Sequence, residues 1–202
     1  MTTAKTPALS FTVPGMKEAD AAEVVRLLQD RLNALNDLAL TLKHVHWNVV
    51  GPHFIGVHQM LDPQYESVSE LVDQVAERIT TLGGSPDGRA GSLVSQRTWD
   101  DYSLERDLVD AHLAALDLVY VRVISAHRDA IGETEEIDPV TQDLLIQQTE
   151  ILEQFHWFVR AHLEDAGGRL ADGGDRTEKA AAASARRATD ASKPRKRAAA
   201  KR

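Results

Sequence analysis

The stretch LQDRLNALNDLALTLKHVHWNVV, residues 28–50, decides the fold. Leu28, Leu32, Leu35, Ala39, Leu42, His46 and Val49 recur at alternating steps of four and three. Residues so spaced share one face of a helix that turns every ~3.6 residues. The helical pattern begins at Glu18, and Gly51-Pro52 ends it.

Working outward, a second helix is predicted from about Ile55 to Leu82, stopping at Gly83-Gly84. Residues 83–100 are rich in Gly, Ser and Pro and read as a loop, with a possible short helix at Ser92–Arg97. A third helix is expected from Ser103 to Ile131, with Leu104, Leu108, Ala111, Ala115, Leu118 and Val119 inward. Asp138-Pro139 is a start signal for a fourth, which carries Leu144, Leu145, Ile151, Leu152, Phe155, Phe158 and Val159 and ends near Gly167-Gly168. Strand alternation and internal repeats are not found. The pattern predicts an all-α four-helix bundle over residues 18–170, with a short helix in the connection between helices two and three. Residues 1–17 read as an extended arm, and residues 171–202 as a separate tail.

The chain has 202 residues, 43% of them apolar, and no cysteine. That composition supports a buried core and excludes a disulfide framework or thiolate metal ligands. No apolar run reaches the ~20 residues of a membrane span, and the N-terminus lacks the apolar segment of a secretory signal. A soluble, intracellular protein is expected. Net charge is −8, unevenly divided. From Arg176 onward there are ten Lys/Arg against two acids, whereas residues 1–175 hold thirteen basic and twenty-nine acidic residues. Such asymmetry marks a tail with its own partner.

Candidate metal ligands cluster in two places. His44, His46, Trp47 and Asn48 close the first helix; His58, Asp62, Asp73 and Glu77 lie along the second. Imidazole and carboxylate donors suit iron, manganese or zinc. His58 and Asp62 are four apart, as are Asp73 and Glu77, so each pair shares a helix face. The eleven residues from Asp62 to Asp73 keep both pairs on one side but about 16 Å apart along the axis. Bonds of ~2.0–2.2 Å cannot close both pairs on one ion. An antiparallel second copy could bring its Asp73 and Glu77 to His58 and Asp62, giving two equal sites across a two-fold axis. A plainer reading of the acids is a solvated helix face. Pro63 leaves a second alternative open. It either kinks a continuous helix or follows Asp62 as N-cap and first residue, which would leave His58 outside.

His46-Trp47-Asn48, followed by Gly51, Phe54, His58, Asp62, Asp73 and Ala76-Glu77-Arg78, resembles the Dps family, the mini-ferritins named as DNA-binding proteins from starved cells. The resemblance spans roughly residues 20–168 and includes Phe155-His156-Trp157-Phe158. It implies a ferritin-like four-helix bundle assembled as a hollow dodecamer in the cytoplasm and nucleoid. It also implies a ferroxidase centre between two-fold-related subunits, with His46, His58 and Asp62 from one and Asp73 and Glu77 from its neighbour. Fe(II) would be oxidised there, preferentially by hydrogen peroxide, and stored as Fe(III) mineral. Trp47 would lie close to the metal, where it could donate electrons to stray oxidants; on residue type alone it reads as a core aromatic. Asp143, and with it Asp138, would line a three-fold pore admitting Fe(II), although acids at a helix start also complement its dipole. Glu153-x-x-His156 mimics an intra-bundle di-iron motif but has no second copy. His44 is read as a support for the ligands or as structural, His156 and His162 as structural, and His53, His112 and His127 receive no role.

The tail is low-complexity and almost devoid of large apolar side chains, so disorder is expected across 171–202. Arg186, Arg187, Lys193, Arg195, Lys196, Arg197, Lys201 and Arg202 are its candidate DNA contacts. Backbone phosphates need only such charge, and repetition around an oligomer would add avidity. The leading expectation is an iron-oxidising, iron-storing protein that also binds DNA without sequence preference. The alternatives are a mainly DNA-compacting protein with a weak metal site, and a bundle using manganese or zinc.

Overall fold

In the computed structural model, residues 9–164, 169–170 and 174–192 are described. The order is α1 (Glu18–Asn48), β1 (Val49–Val50), α2 (Phe54–Thr81), α3 (Ala90–Gln96), β2 (Asp107–Leu108), α4 (Val109–Thr134), α5 (Pro139–Leu163) and α6 (Glu178–Ser192). Helices α1, α2, α4 and α5 form the bundle, with α1 packed on α2, α4 on α5, and α1 on α4. Leu28, Leu32, Leu35 and Leu42 of α1, Leu61 and Leu71 of α2, Leu113 and Leu116 of α4 and Leu145 and Leu152 of α5 fill one apolar core. Burying a leucine is worth about 1.5–3 kcal/mol, so this stripe supplies most of the drive to pair the helices.

Two local features differ from expectation, and one open alternative is resolved. Residues 103–108 are not helical. Asp107 and Leu108 instead pair in parallel with Val49 and Val50, and α4 begins only at Val109. Gly51 makes this possible. Its φ is +98°, and a Cβ there would meet Leu108 Cδ2 at 2.9 Å. Only glycine combines that conformation with that approach.

Pro63 lies inside a continuous α2, so the N-cap alternative fails and His58 belongs to the helix. Pro63 and Gln59 are both exposed. The carbonyl that proline leaves unpaired therefore faces water, which lowers the cost of keeping the helix whole.

The largest difference is α6. Residues 178–192, assigned by composition to a disordered tail, form a helix against α4. Ala181, Ala182 and Ala185 are fully buried. Alanine is the best helix former and lets two backbones approach closely, so a segment without large apolar side chains can still dock. The ordered body thus runs past residue 170. Within the arm, Leu9, Val13 and Met16 pack on the core. Among the described residues no helix is long and apolar enough to cross a membrane.

Candidate metal centre

The last turn of α1 and the first turns of α2 bring three candidate ligands together. The His46 and His58 rings stack with centroids 3.7 Å apart and planes 24° from parallel. Each is anchored by the other's backbone. His46 Nδ1 donates to His58 O and His58 Nδ1 donates to His46 O, both at 2.9 Å. A carbonyl only accepts, so both Nδ1 atoms donate, and in the neutral ring each Nε2 then keeps a lone pair. Metal-binding histidines are commonly oriented in this way by a backbone carbonyl.

Asp62 lies 3.3 Å from His46 Nδ1. Its carboxylate also accepts from Lys43 Nζ at 2.8 Å, and that hydrogen bond holds its pKa below the ordinary value. Lys43 is braced in turn over the Tyr65 ring, 4.9 Å from its centroid. The cluster therefore offers two imidazoles and an ionised carboxylate. Asp73 and Glu77 stand farther along α2 on the exposed surface. Among the described residues no three His, Asp or Glu side chains converge closely enough to hold an ion. One copy carries two separated sets of candidate ligands.

Trp47 is 71% exposed, so it is not a core aromatic of the protomer. Its helix position turns it away from the leucine stripe. His44 is structural, its Nε2 donating to Leu104 O at 2.7 Å. Asn48 caps its own helix, donating to His44 O at 2.8 Å.

Asp138 is not a free pore carboxylate. It is buried, receives Arg78 Nη2 at 2.7 Å, and also accepts from the Thr141 hydroxyl. Burial pushes its pKa up, but the bonds from Thr141 and Arg78 outweigh that and hold it low. Arg78, noted in sequence only as part of a motif, thus ties α2 to the start of α5. Asp143 is exposed and accepts from Gln147 at 2.7 Å.

The Glu153-x-x-His156 pair is divided between two partners: Glu153 takes Arg128 and His156 Nε2 meets Asp117 at 2.7 Å. Sequence reasoning missed Asp37. It gathers Trp99 Nε1 (2.7 Å), Arg97 (3.4 Å) and Arg122 (3.7 Å) and secures the long connection to α1. An aspartate set between Leu35 and Leu38 of the apolar stripe was the available signal. Of the tail candidates, Arg186 is ion-paired to Asp107, and Arg187 is exposed and donates to Ser184 at 2.7 Å. Lys193, Arg195, Lys196, Arg197, Lys201 and Arg202 lie outside the described residues.

This bundle, with its ligand-bearing helices, is that of a ferritin-like protein, and a ferritin-like domain family matches residues 25–167. The DNA protection during starvation protein of Mycolicibacterium smegmatis is 61% identical over 178 residues, covering 88% of this chain and 97% of its own length. A solved structure of Mycobacterium smegmatis Dps superposes with a TM-score of 0.83 at 60% identity, covering 84% of this chain and 97% of that one. DpsA14 from Streptomyces coelicolor superposes with a TM-score of 0.80 at 57% identity, covering 81% and 98%. The chain belongs to the ferritin-like superfamily and, within it, to the Dps family.

Proposed function

We propose that this protein oxidises Fe(II) at sites shared between two-fold-related copies, and that it stores the ferric product inside a hollow dodecamer. The observation that carries this reading is the division of ligands along α2. His46 and His58 are fixed with Nε2 available, beside Asp62, while Asp73 and Glu77 are displaced about 16 Å along the same helix face. An antiparallel neighbour supplies what each end lacks. Hard carboxylates favour Fe(III) over Fe(II), so binding through them drives oxidation. Hydrogen peroxide is the proposed oxidant. It takes one electron from each of two Fe(II) ions and two protons, and leaves as two waters. Consuming peroxide and Fe(II) together suppresses hydroxyl-radical formation. Trp47 is the proposed sink for oxidants that escape, and Asp143 is the proposed pore carboxylate.

The basic residues beyond α6, from Lys193 to Arg202, together with Arg187, are proposed to bind DNA without sequence preference and so protect it in the cytoplasm and nucleoid. The names of the relatives support this reading, and phosphate binding requires only clustered positive charge. Deleting residues 193–202 should weaken binding to any duplex by at least ~10-fold at moderate salt and flatten its salt dependence. Gel shifts at several salt concentrations measure this. Equal binding by both forms would move the DNA contact elsewhere.

The iron site is tested by complementation. A His46→Ala/His58→Ala variant and an Asp73→Ala/Glu77→Ala variant are dissociated, mixed and reassembled. Each should be inactive alone, and mixed contacts, which regain one intact site, should oxidise Fe(II). Confirmed mixed oligomers without activity would sink the shared site.

A further inference from the structure

Residues 102–108 are gripped from two sides. The end of α1 holds one side: His44 Nε2 donates to Leu104 O at 2.7 Å, Val49 and Val50 pair with Asp107 and Leu108, and Gly51 admits Leu108 against its backbone. Helix α6 holds the other. Glu178 accepts from the Ser103 backbone N–H at 2.7 Å, and Arg186 Nε donates to Asp107 Oδ1 at 3.1 Å, with a second contact from Nη2 to Oδ2. One turn later the Thr189 hydroxyl meets Asp110 at the start of α4. The Asp107 carboxylate also accepts from the Leu108 N–H at 2.8 Å, so the group that receives Arg186 also shapes β2.

The energetics make this contact decisive for docking. A 15-residue helix is marginal by itself. The face α6 buries is alanine, which contributes little apolar area per residue. The bidentate Arg186–Asp107 pair is partly shielded from solvent, with Asp107 only 17% exposed. Planar two-bond pairs of this kind are the strong form of the interaction.

We propose that α6 is a brace for the histidine end of the iron site, with Arg186 and Asp107 as positioning residues that hold β2 against β1 and so fix the last turn of α1. The inference rests on the reading of His46 as an iron ligand. Val49 follows the last residue of α1, and its N–H closes the helix on Val45 O. A shift of β1 therefore reaches His46 within one turn.

The test uses the full-length assembled protein and three variants: Arg186→Gln, Arg186→Lys and the exchange Asp107→Arg/Arg186→Asp. Amide hydrogen exchange is followed at Val49, Val50 and residues 104–108, and Co(II) binding is titrated by visible absorbance. Arg186→Gln should speed exchange at Val49 and Val50 about 10-fold. It should also raise the Co(II) concentration for half-saturation by up to about 10-fold. The rate at saturating Fe(II) should stay within about two-fold of wild type, because a positioning loss appears in apparent affinity first. Arg186→Lys and the charge exchange should recover part of both effects. The brace is overturned if α6 amides loosen while Val49, Val50 and Co(II) half-saturation stay at wild-type values. It is equally overturned if Arg186→Gln leaves α6 itself unchanged. A wild-type protein that neither binds Co(II) nor oxidises Fe(II) would remove the iron reading instead, and the exchange at Val49 and Val50 would still decide the brace.

Discussion

The last turn of α1 and the middle of α4 each hold a histidine anchored in the same way. His46 Nδ1 donates to His58 O at 2.9 Å, and His127 Nδ1 donates to Val123 O at 3.1 Å. Their surroundings differ. His46 retains 9% exposure and adjoins Asp62 and the exposed Trp47. His127 has none. Gln148 of α5 lies beside the His127 ring without closing a hydrogen bond to Nε2, and Arg31 of α1 adds an unfavourable positive charge. Burial, reinforced by Arg31, pushes the His127 pKa down to about 4. One residue type with one anchor thus gives a reachable lone pair in one place and a neutral core group in the other. What lies opposite Nε2 makes the difference.

The strongest test of this contrast is activity. His46→Ala with His58→Ala should slow Fe(II) oxidation by at least ~100-fold, which raises the barrier by about 2.7 kcal/mol. His127→Leu should stay within about two-fold of wild type, since deleting a core imidazole removes no ligand. Comparable losses in both, measured in assembled protein, would break the distinction.

Acid stability separates the same two sites in the other direction. His127 is neutral when folded down to about pH 4, whereas an unfolded histidine takes its proton near pH 6.5. Because the unfolded state binds the extra proton, stability is full above about pH 6.5 and falls as pH drops toward 4. The loss should be on the order of 3 kcal/mol. Urea unfolding at pH 7 and 4.5 should show this slope in wild type, and a shallower one in His127→Leu. An unchanged slope would mean that the ring is not the acid-sensitive group.

The smallest expected effect concerns the turn behind His46. Gly51→Ala forces an L-residue into a left-handed conformation against Leu108, which should cost about 1–2 kcal/mol. It should weaken Co(II) binding while leaving amide exchange around His127 unchanged. Thermal melts and exchange measured together would show whether the strain stays local. If exchange around His127 also accelerates, the two regions are not independent.

The bundle itself was legible in the chain because helices announce themselves locally. The stripe from Leu28 to Leu42 is buried as its spacing required, and Asp138-Pro139 opens α5. The candidate ligands were legible for a related reason. His58, Asp62, Asp73 and Glu77 lie on one uninterrupted helix, so their mutual placement follows from rise and twist alone. The stacking of His46 on His58 was not legible, because it joins two helices through backbone carbonyls that carry no sequence signal.

Residue types and periods thus determined the all-α class, the donor types of the candidate ligands and the separation between the candidate pairs, since each depends on neighbours a few residues away. Only the tertiary structure decided four other points. Asp138 is sealed by Arg78, Trp47 faces outward, α2 runs through Pro63, and α6 folds against α4 rather than trailing free. Each of these is settled by which surface lies opposite. A buried carboxylate becomes tolerable once a guanidinium reaches it, a proline once its orphaned carbonyl faces water, and an alanine helix once a partner surface and an Asp107 await it. Those pairings span tens of residues along the chain, a distance at which the local pattern carries no information.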